Sequence, residues 1–205
     1  MLILPKTSLQ GIQVDPAAAT YPWRDLTADL VVRTTGTAAP AYSQIGATVF
    51  YAYDFVGATT LKEARVNFHL DHDYVAGTDI YFHVHWMPTD TGSGNVKWSA
   101  DVCYAKGHNQ AVFAFASPVS TSVTTAAPTV QYQHMISEMV ISQAGAGSLI
   151  NNTLFEPDGI IMVRFYRDPT DGADTYGSTA WVNFADCHYQ STGIGTKQKA
   201  PNFYT

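Results

Sequence analysis

The stretch Ala76–Pro88 reads AGTDIYFHVHWMP, and its alternation decides the fold. Gly77 allows a turn, and the residues after it repeat with period two. Ile80, Phe82, Val84 and Trp86 fall on one face; Tyr81, His83, His85 and Met87 fall on the other. Such spacing of aromatic and β-branched residues is the signature of a strand. The first face is a core face. The second is amphipathic, and its two histidines are the first place to look for a metal.

Working outward, Ala64–Leu70 alternates in the same way, with Val66, Phe68 and Leu70 opposed to Arg65, Asn67 and His69. Thr89–Asn95 (TDTGSGN) has the composition of a hairpin loop, and Val96–Tyr104 follows with Val96, Trp98, Ala100, Val102 and Tyr104 in register. The strands flanking that loop are expected to pair antiparallel. Thr48–Phe55, Ala111–Ala116 (AVFAFA), Thr129–Ser142, Ile160–Arg167 and Ala180–Tyr189 supply further strands, whereas the Ser/Thr-rich Ser117–Pro128 reads as a break. About eight strands at hairpin-like spacing, with no sustained helix, predict an all-β chain: an antiparallel β-sandwich, most simply a jelly roll.

Irregular arms flank the predicted sandwich. Residues 1–43 are punctuated by Pro5, Pro16, Pro22 and Pro40. Within them Tyr21–Leu26 is expected to make a short helical turn, with Pro22 at its start. The segment either wraps its own domain as a strand and loops or docks on a neighbouring subunit. Residues 44–190 form the sandwich, and 191–205, rich in Gly, Lys, Gln and Pro, form an extended C-terminal tail.

A chain of 205 residues suits one large β domain or two small ones. Only 14% of residues are charged, so polarity comes from Ser, Thr, Asn and Gln, which suits surfaces that meet other proteins. A net charge of −6 and eleven scattered basic residues argue against nucleic-acid binding, which needs clustered Lys and Arg. No apolar run is long enough to span a membrane, and MLILPKTSLQ lacks a signal-peptide pattern. Cys103 and Cys187 both fall in predicted strands; free buried thiols are expected, with pairing left open.

Gly77, His83 and His85 match the opening G-x5-H-x-H of the cupin metal motif. Histidines at i and i+2 on a strand face one side and reach a common ion inside a barrel. The match then fails: Met87, Pro88 and Thr89 stand where a Glu is needed, and Met162 stands where the second motif, begun by Pro157 and Gly159, needs a His. His83 and His85 are therefore expected to be hydrogen-bonded on a packed or subunit-facing surface, with a metal and a cupin-like enzyme as the alternative. His69 and His72 are not expected to share a face, and Asp71 and Asp73 are expected in local turn bonds. Asp168, Asp171 and Asp174 beside Gly172 resemble a calcium loop but lack its spacing and closing Glu. There is no G-x-S-x-G elbow and no phosphate-binding loop, and nothing places Glu138 opposite Glu156. No catalytic residue and no cofactor is expected. The sequon at Asn151–Thr153 is expected to be idle.

PWRDLTADLVVRTTG (22–36), VNFHLDHDYVAGTDIYFHVHW (66–86), YAKGHNQAVF (104–113), EPDGIIMV (156–163) and FADCHYQSTGIGTKQKAPNFY (184–204) together resemble a family of tailed-bacteriophage and prophage virion structural proteins. The likeness runs from about Pro22 to the C-terminus. It implies a jelly-roll sandwich and a place in the particle, similar in kind to capsid decoration (cement) proteins that sit on the outside of the shell as dimers or trimers. The implied partners are further copies of this chain and the major capsid protein, after synthesis in the host cytoplasm. It implies no catalytic residue. On that expectation Trp23, Arg24, Phe203 and Tyr204 are the interface candidates, and deletion of 191–205 is expected to abolish particle binding without unfolding the domain. The alternative within a virion is a tail or head-fibre component that touches the host or a glycan. There Tyr81, Trp86, Trp98 and Trp181 would stack on sugars, although core packing explains at least three of them better.

Overall fold

A computed structural model describes residues 21–32, 36–58, 60–145 and 147–193, with positions 199 and 201. The strands are β1 (Trp23–Thr27), β2 (Tyr42–Gln44), β3 (Tyr51–Phe55), β4 (Lys62–His69), β5 (Tyr81–Pro88), β6 (Asn95–Ala105), β7 (Val119–Ala126), β8 (Met135–Val140), β9 (Ser142–Gln143), β10 (Ile150–Asn151), β11 (Ile160–Arg167) and β12 (Ala180–Gln190). Among the described residues the only helical element is the short 3-10 turn Asn152–Leu154.

Two antiparallel sheets carry the architecture. One runs β2-β3-β12-β5-β8, with β1 added along the far half of β12; the other runs β4-β11-β6-β7. Following the chain from β3, almost every connection crosses between the sheets, and only β6–β7 is a hairpin within one. That alternation is the strand order of a jelly roll, in agreement with the sequence expectation. The small parallel pair β9–β10 lies apart from both sheets.

Period-two burial follows from this arrangement. Phe82, Val84 and Trp86 of β5 and Ala180, Val182, Cys187 and Tyr189 of β12 face Val66 and Phe68 of β4, Val96, Trp98, Ala100 and Val102 of β6, and Ile161, Val163 and Phe165 of β11; all are buried. Phe55, Trp98 and Phe165 meet with ring centroids 5.2–6.2 Å apart. Burying each such side chain contributes about 1.5–3 kcal/mol. Trp86 Nε1 donates to Ser137 Oγ at 2.9 Å, so the one polar atom of that ring is paired.

A buried ion pair closes one end of the core. Arg167, the last residue of β11, is fully buried and donates through Nε and Nη2 to the Asp174 carboxylate at 2.9 and 2.8 Å. Nη1 donates to the carbonyls of Phe55 and Ser178 at 2.9 and 2.8 Å, and Nη2 also reaches the Tyr176 carbonyl. The fork thereby ties the loop after β11 to the end of β3.

Several local expectations are corrected. Residues 21–26 make no helical turn: Trp23–Thr27 is β1, registered against β12 from Trp23↔Gln190 to Thr27↔Asp186. Val31 then bridges Arg65 of β4, so the segment laces the flank between the two sheets. The strands on either side of Thr89–Asn95 do not pair; β5 pairs with β12 and β8, and β6 with β11 and β7, in the opposite sheet. Ala111–Ala116 is no strand but an exposed loop, with Val112 88% and Phe115 64% accessible. Ser117–Pro128 is no break: it contains β7, an edge strand alternating half-buried and exposed residues. Cys103 and Cys187 are free; Cys187 is buried and Cys103 only partly so. Burial, and then the neighbouring Asp186 charge, pushes the Cys187 thiol well above its ordinary pKa.

Candidate functional site

The outer face of β5 is built into a cross-strand ladder by the register. His83 stands opposite Asp186 of β12 on one side and Glu138 of β8 on the other; His85 stands opposite Phe184 and Ile136; Tyr81 stands opposite His188 and Val140. Directly opposed side chains on one sheet face are contact neighbours. The three rows therefore bring His83 and His85 together with His188 and two carboxylates, Glu138 and Asp186, that are far from them in the chain.

The contacts have a direction. A carboxylate can only accept, so His83 Nε2 carries the proton it donates to Glu138 Oε2 at 2.8 Å. In the neutral tautomer that donates from Nε2, the lone pair is on His83 Nδ1, which lies 3.5 Å from Asp186 Oδ1. His85 Nδ1 meets His134 Nε2 at 3.0 Å, and His85 Nε2 lies 3.3 Å from Asp186 Oδ2. His83 is 4% and Asp186 2% exposed. His83 Nδ1, His85 Nε2 and Asp186 Oδ1 are buried and have no hydrogen-bond partner. On the β1 side, His188 Nε2 pairs with Asp25 Oδ1 at 2.6 Å. Ligand-type atoms of His83, His85 and Asp186 lie within 4.8 Å of one another, and a second such group, Asp25, Asp186 and His188, shares the same aspartate.

This geometry corrects the cupin comparison. The histidines share a face, as expected, but the face is the outer one, while Phe82, Val84 and Trp86 occupy the interior. Asp186 was not among the residues the sequence singled out. The only signal was its place two residues before His188 in a strand of period two.

The other candidates disperse. His69, His72 and His108 converge on Asp158, at 3.2, 3.0 and 2.7 Å, so His69 and His72 do meet across the strand end. Burial raises the Asp158 pKa, but the His108 hydrogen bond and the His72 and His69 contacts hold it below the ordinary carboxylate value. Asp73 is bound not locally but by Tyr189 and Ser191 hydroxyls at 2.7 and 2.6 Å and by Arg24 at 2.8 Å. Asp168, Asp171 and Asp174 do not form a calcium loop: Asp174 holds Arg167, Asp171 pairs with Lys97, and Asp168 caps Thr170. Of the proposed sugar platform, Trp86 and Trp98 are buried in the core, Trp181 stacks on Tyr132 at 5.7 Å, and Tyr81 packs edge-on to Trp23 at 5.5 Å.

Of the expected interface residues, Trp23 is half exposed, and Arg24 is engaged by Asp73 of its own domain. Phe203 and Tyr204 lie outside the described residues. Ser191 is fully buried and its amide donates to the Pro22 carbonyl at 2.9 Å, so the start of the tail is part of the sandwich. A cleft of about 580 Å³ opens on the flank where β12 passes from β3 to β1. Tyr53 lies opposite Val182 and Tyr42 opposite Tyr53, so these tyrosines extend the inner face past the sheet edge; Tyr51 stacks on Tyr42 at 5.6 Å. Asp29 and Asn183 add polar groups to the same wall.

No family model matches the sequence, and no curated protein matches it. Among solved structures, the chain is similar to TmCBM61 in complex with β-1,4-galactotriose: 13% identity over 82% of this chain and 89% of that one, TM-score 0.32. It is also similar to CBM28, a carbohydrate-binding module specific for non-crystalline cellulose: 12% identity over 77% and 83%, TM-score 0.30.

Proposed function

We propose that this chain is a non-enzymatic structural protein of a phage particle, a capsid decoration protein that binds the outer shell as a homo-oligomer and bridges capsomers. The observation that supports it is where large apolar side chains remain exposed. Val49 and Phe50 stand at the tip between β2 and β3, Trp23 and Ile136 on the six-stranded sheet, and Val112 and Phe115 on the loop before β7, beside the outer face of the other sheet. A binder with one partner needs one apolar patch. A protein wedged between neighbours needs several, facing different ways. Low charge fits the same reading, because interface cores are depleted of charge.

The test is copy number in purified particles, with rebinding of purified protein to shells that lack it. The expected result is a ratio to the major capsid protein within a few-fold of one, and loss of rebinding in Phe50→Ser and Phe115→Ser variants that melt like the parent. A ratio of a few per cent, or rebinding unchanged in both variants, overturns the proposal. Truncation for this test belongs after Gly193, because Ser191 and Thr192 are bonded to Asp73.

The second reading, a fibre component that binds glycan, is favoured by the tyrosine-lined flank cleft. Exposed rings beside a carboxylate and an amide supply the stacking surface and hydrogen bonds that a sugar takes. A low copy number together with glycan binding that Tyr42→Ala abolishes would replace the first reading with this one.

A further inference from the structure

We infer that His83 Nδ1, His85 Nε2 and the Asp186 carboxylate form a binding site for one divalent transition ion of the zinc type. This does not depend on where the protein works. Two ligands about 2.0–2.1 Å from one ion, at tetrahedral angles, stand about 3.3–3.5 Å apart. His83 Nδ1 lies 3.5 Å from Asp186 Oδ1 and His85 Nε2 3.3 Å from Asp186 Oδ2, and one ligand-type atom from each of the three residues stands within 4.8 Å of the other two. These distances are longer than a charge-assisted hydrogen bond, about 2.7–2.9 Å, and both nitrogens are without a hydrogen-bond partner.

The surroundings prepare the nitrogens as ligands. Glu138 accepts the hydrogen bond of His83 Nε2–H and so favours the neutral tautomer whose Nδ1 presents a lone pair to Asp186. This carboxylate–histidine relay is the arrangement that orients metal-binding imidazoles and raises their basicity. His134 accepts from His85 Nδ1 in the tautomer that leaves Nε2 free in the same way. In these tautomers two lone pairs and Asp186 Oδ1 converge in a buried place without a hydrogen-bond donor, and each carries a desolvation cost that a cation would offset. Two imidazoles and one carboxylate suit zinc-type ions over calcium or magnesium, which take oxygen ligands. The second group, through His188, is not ligand-ready, because His188 Nε2 already pairs with Asp25. Three protein ligands leave a fourth tetrahedral position to solvent.

The test uses the full chain, stripped with chelator and dialysed, then titrated with Co²⁺ and followed by its visible d–d absorption, with Zn²⁺ as competitor. One Co²⁺ per chain is expected, with tetrahedral-type bands that Zn²⁺ displaces. His85→Ala and Asp186→Asn should each abolish the bands. Glu138→Gln should weaken binding about 10–100-fold by loosening His83. His108→Ala, in the separate histidine group at Asp158, should bind as the parent does. Absence of tetrahedral bands in the parent, or bands that persist in His85→Ala, overturns the assignment. Because Asp186 is buried, far-UV circular dichroism accompanies each variant. If Asp186→Asn fails to fold, the partly exposed His85 decides the question alone.

Discussion

Arg167→Met is the sharpest test of how the sandwich is held at its β11 end. Methionine fills much of the same volume but removes every donor. The Asp174 carboxylate then loses both guanidinium bonds, and the carbonyls of Phe55, Tyr176 and Ser178 lose their donor. Removing one partner of a buried ion pair costs about 3–5 kcal/mol, chiefly because the other charge stays buried. The upper half of that range applies, since both side chains are essentially inaccessible and three carbonyls share the loss. For a chain of 205 residues this corresponds to a fall in melting temperature of roughly 8–20 °C. Urea titration is the assay, and the expected result is a lower midpoint at unchanged slope, which marks a change in stability rather than in the denatured state. Adding Asp174→Leu should recover part of the loss but not all, because Asp174 also accepts the Lys97 amide at 3.0 Å. A loss under about 1 kcal/mol for Arg167→Met would refute the reasoning, since it would mean that Asp174 finds another partner or protonates without cost.

Two further outcomes follow from single groups. Gly94 has φ +137°, and a Cβ there would stand 2.6 Å from the Thr175 carbonyl oxygen, so Gly94→Ala should cost about 1–3 kcal/mol by thermal melting. Asp158 is held below the ordinary carboxylate pKa in the folded state, so the unfolded chain takes up its proton first. The stability it supplies is whole above about pH 4 and is lost as pH falls through the folded value; Asp158→Asn should flatten the acid limb of a urea-midpoint profile.

The fold was legible wherever one face of a strand is buried and the other wet. In β4, β5, β6 and β11 an apolar residue recurs at every second place, in β12 it does so on either side of a register shift between Val182 and Phe184, and those spans lie close to the predicted ones. The misreadings have separate physical causes. In β7 the half-buried positions are Val119, Thr121, Val123 and Thr125, and Ser120, Ser122, Thr124 and Ala126 fill the rest, so an edge strand lacks the contrast by which alternation is recognised. AVFAFA has that contrast, but its side chains project from a loop, where exposure rather than burial makes them useful. TDTGSGN marks a reversal of direction and nothing more. A hairpin within a sheet and an arch between sheets take the same turn residues, and only packing of the two inner faces chooses between them.

The site was legible by half, and the same physics explains which half. Alternation alone places His83 and His85 on one face of β5, because that is a property of a single strand. What makes the histidines chemically distinctive comes from the strands beside them, and strand neighbours in a jelly roll are set by topology. β12 and β8 flank β5 because the chain passes to and fro between sheets, which carries Asp186 and Glu138 into the His83 row from opposite sides. A search for missing ligands a few residues downstream of His85 assumes that one loop completes the site. The register supplies an acceptor for the His83 Nε2–H on one edge and, on the other, a carboxylate whose Oδ1 has no hydrogen-bond partner, so the histidine is polarised across the sheet and not along the chain. The same ladder explains why the cluster sits on the outer surface. The core face of β5 is filled by Phe82, Val84 and Trp86, and a period of two leaves no other face for the residues between them.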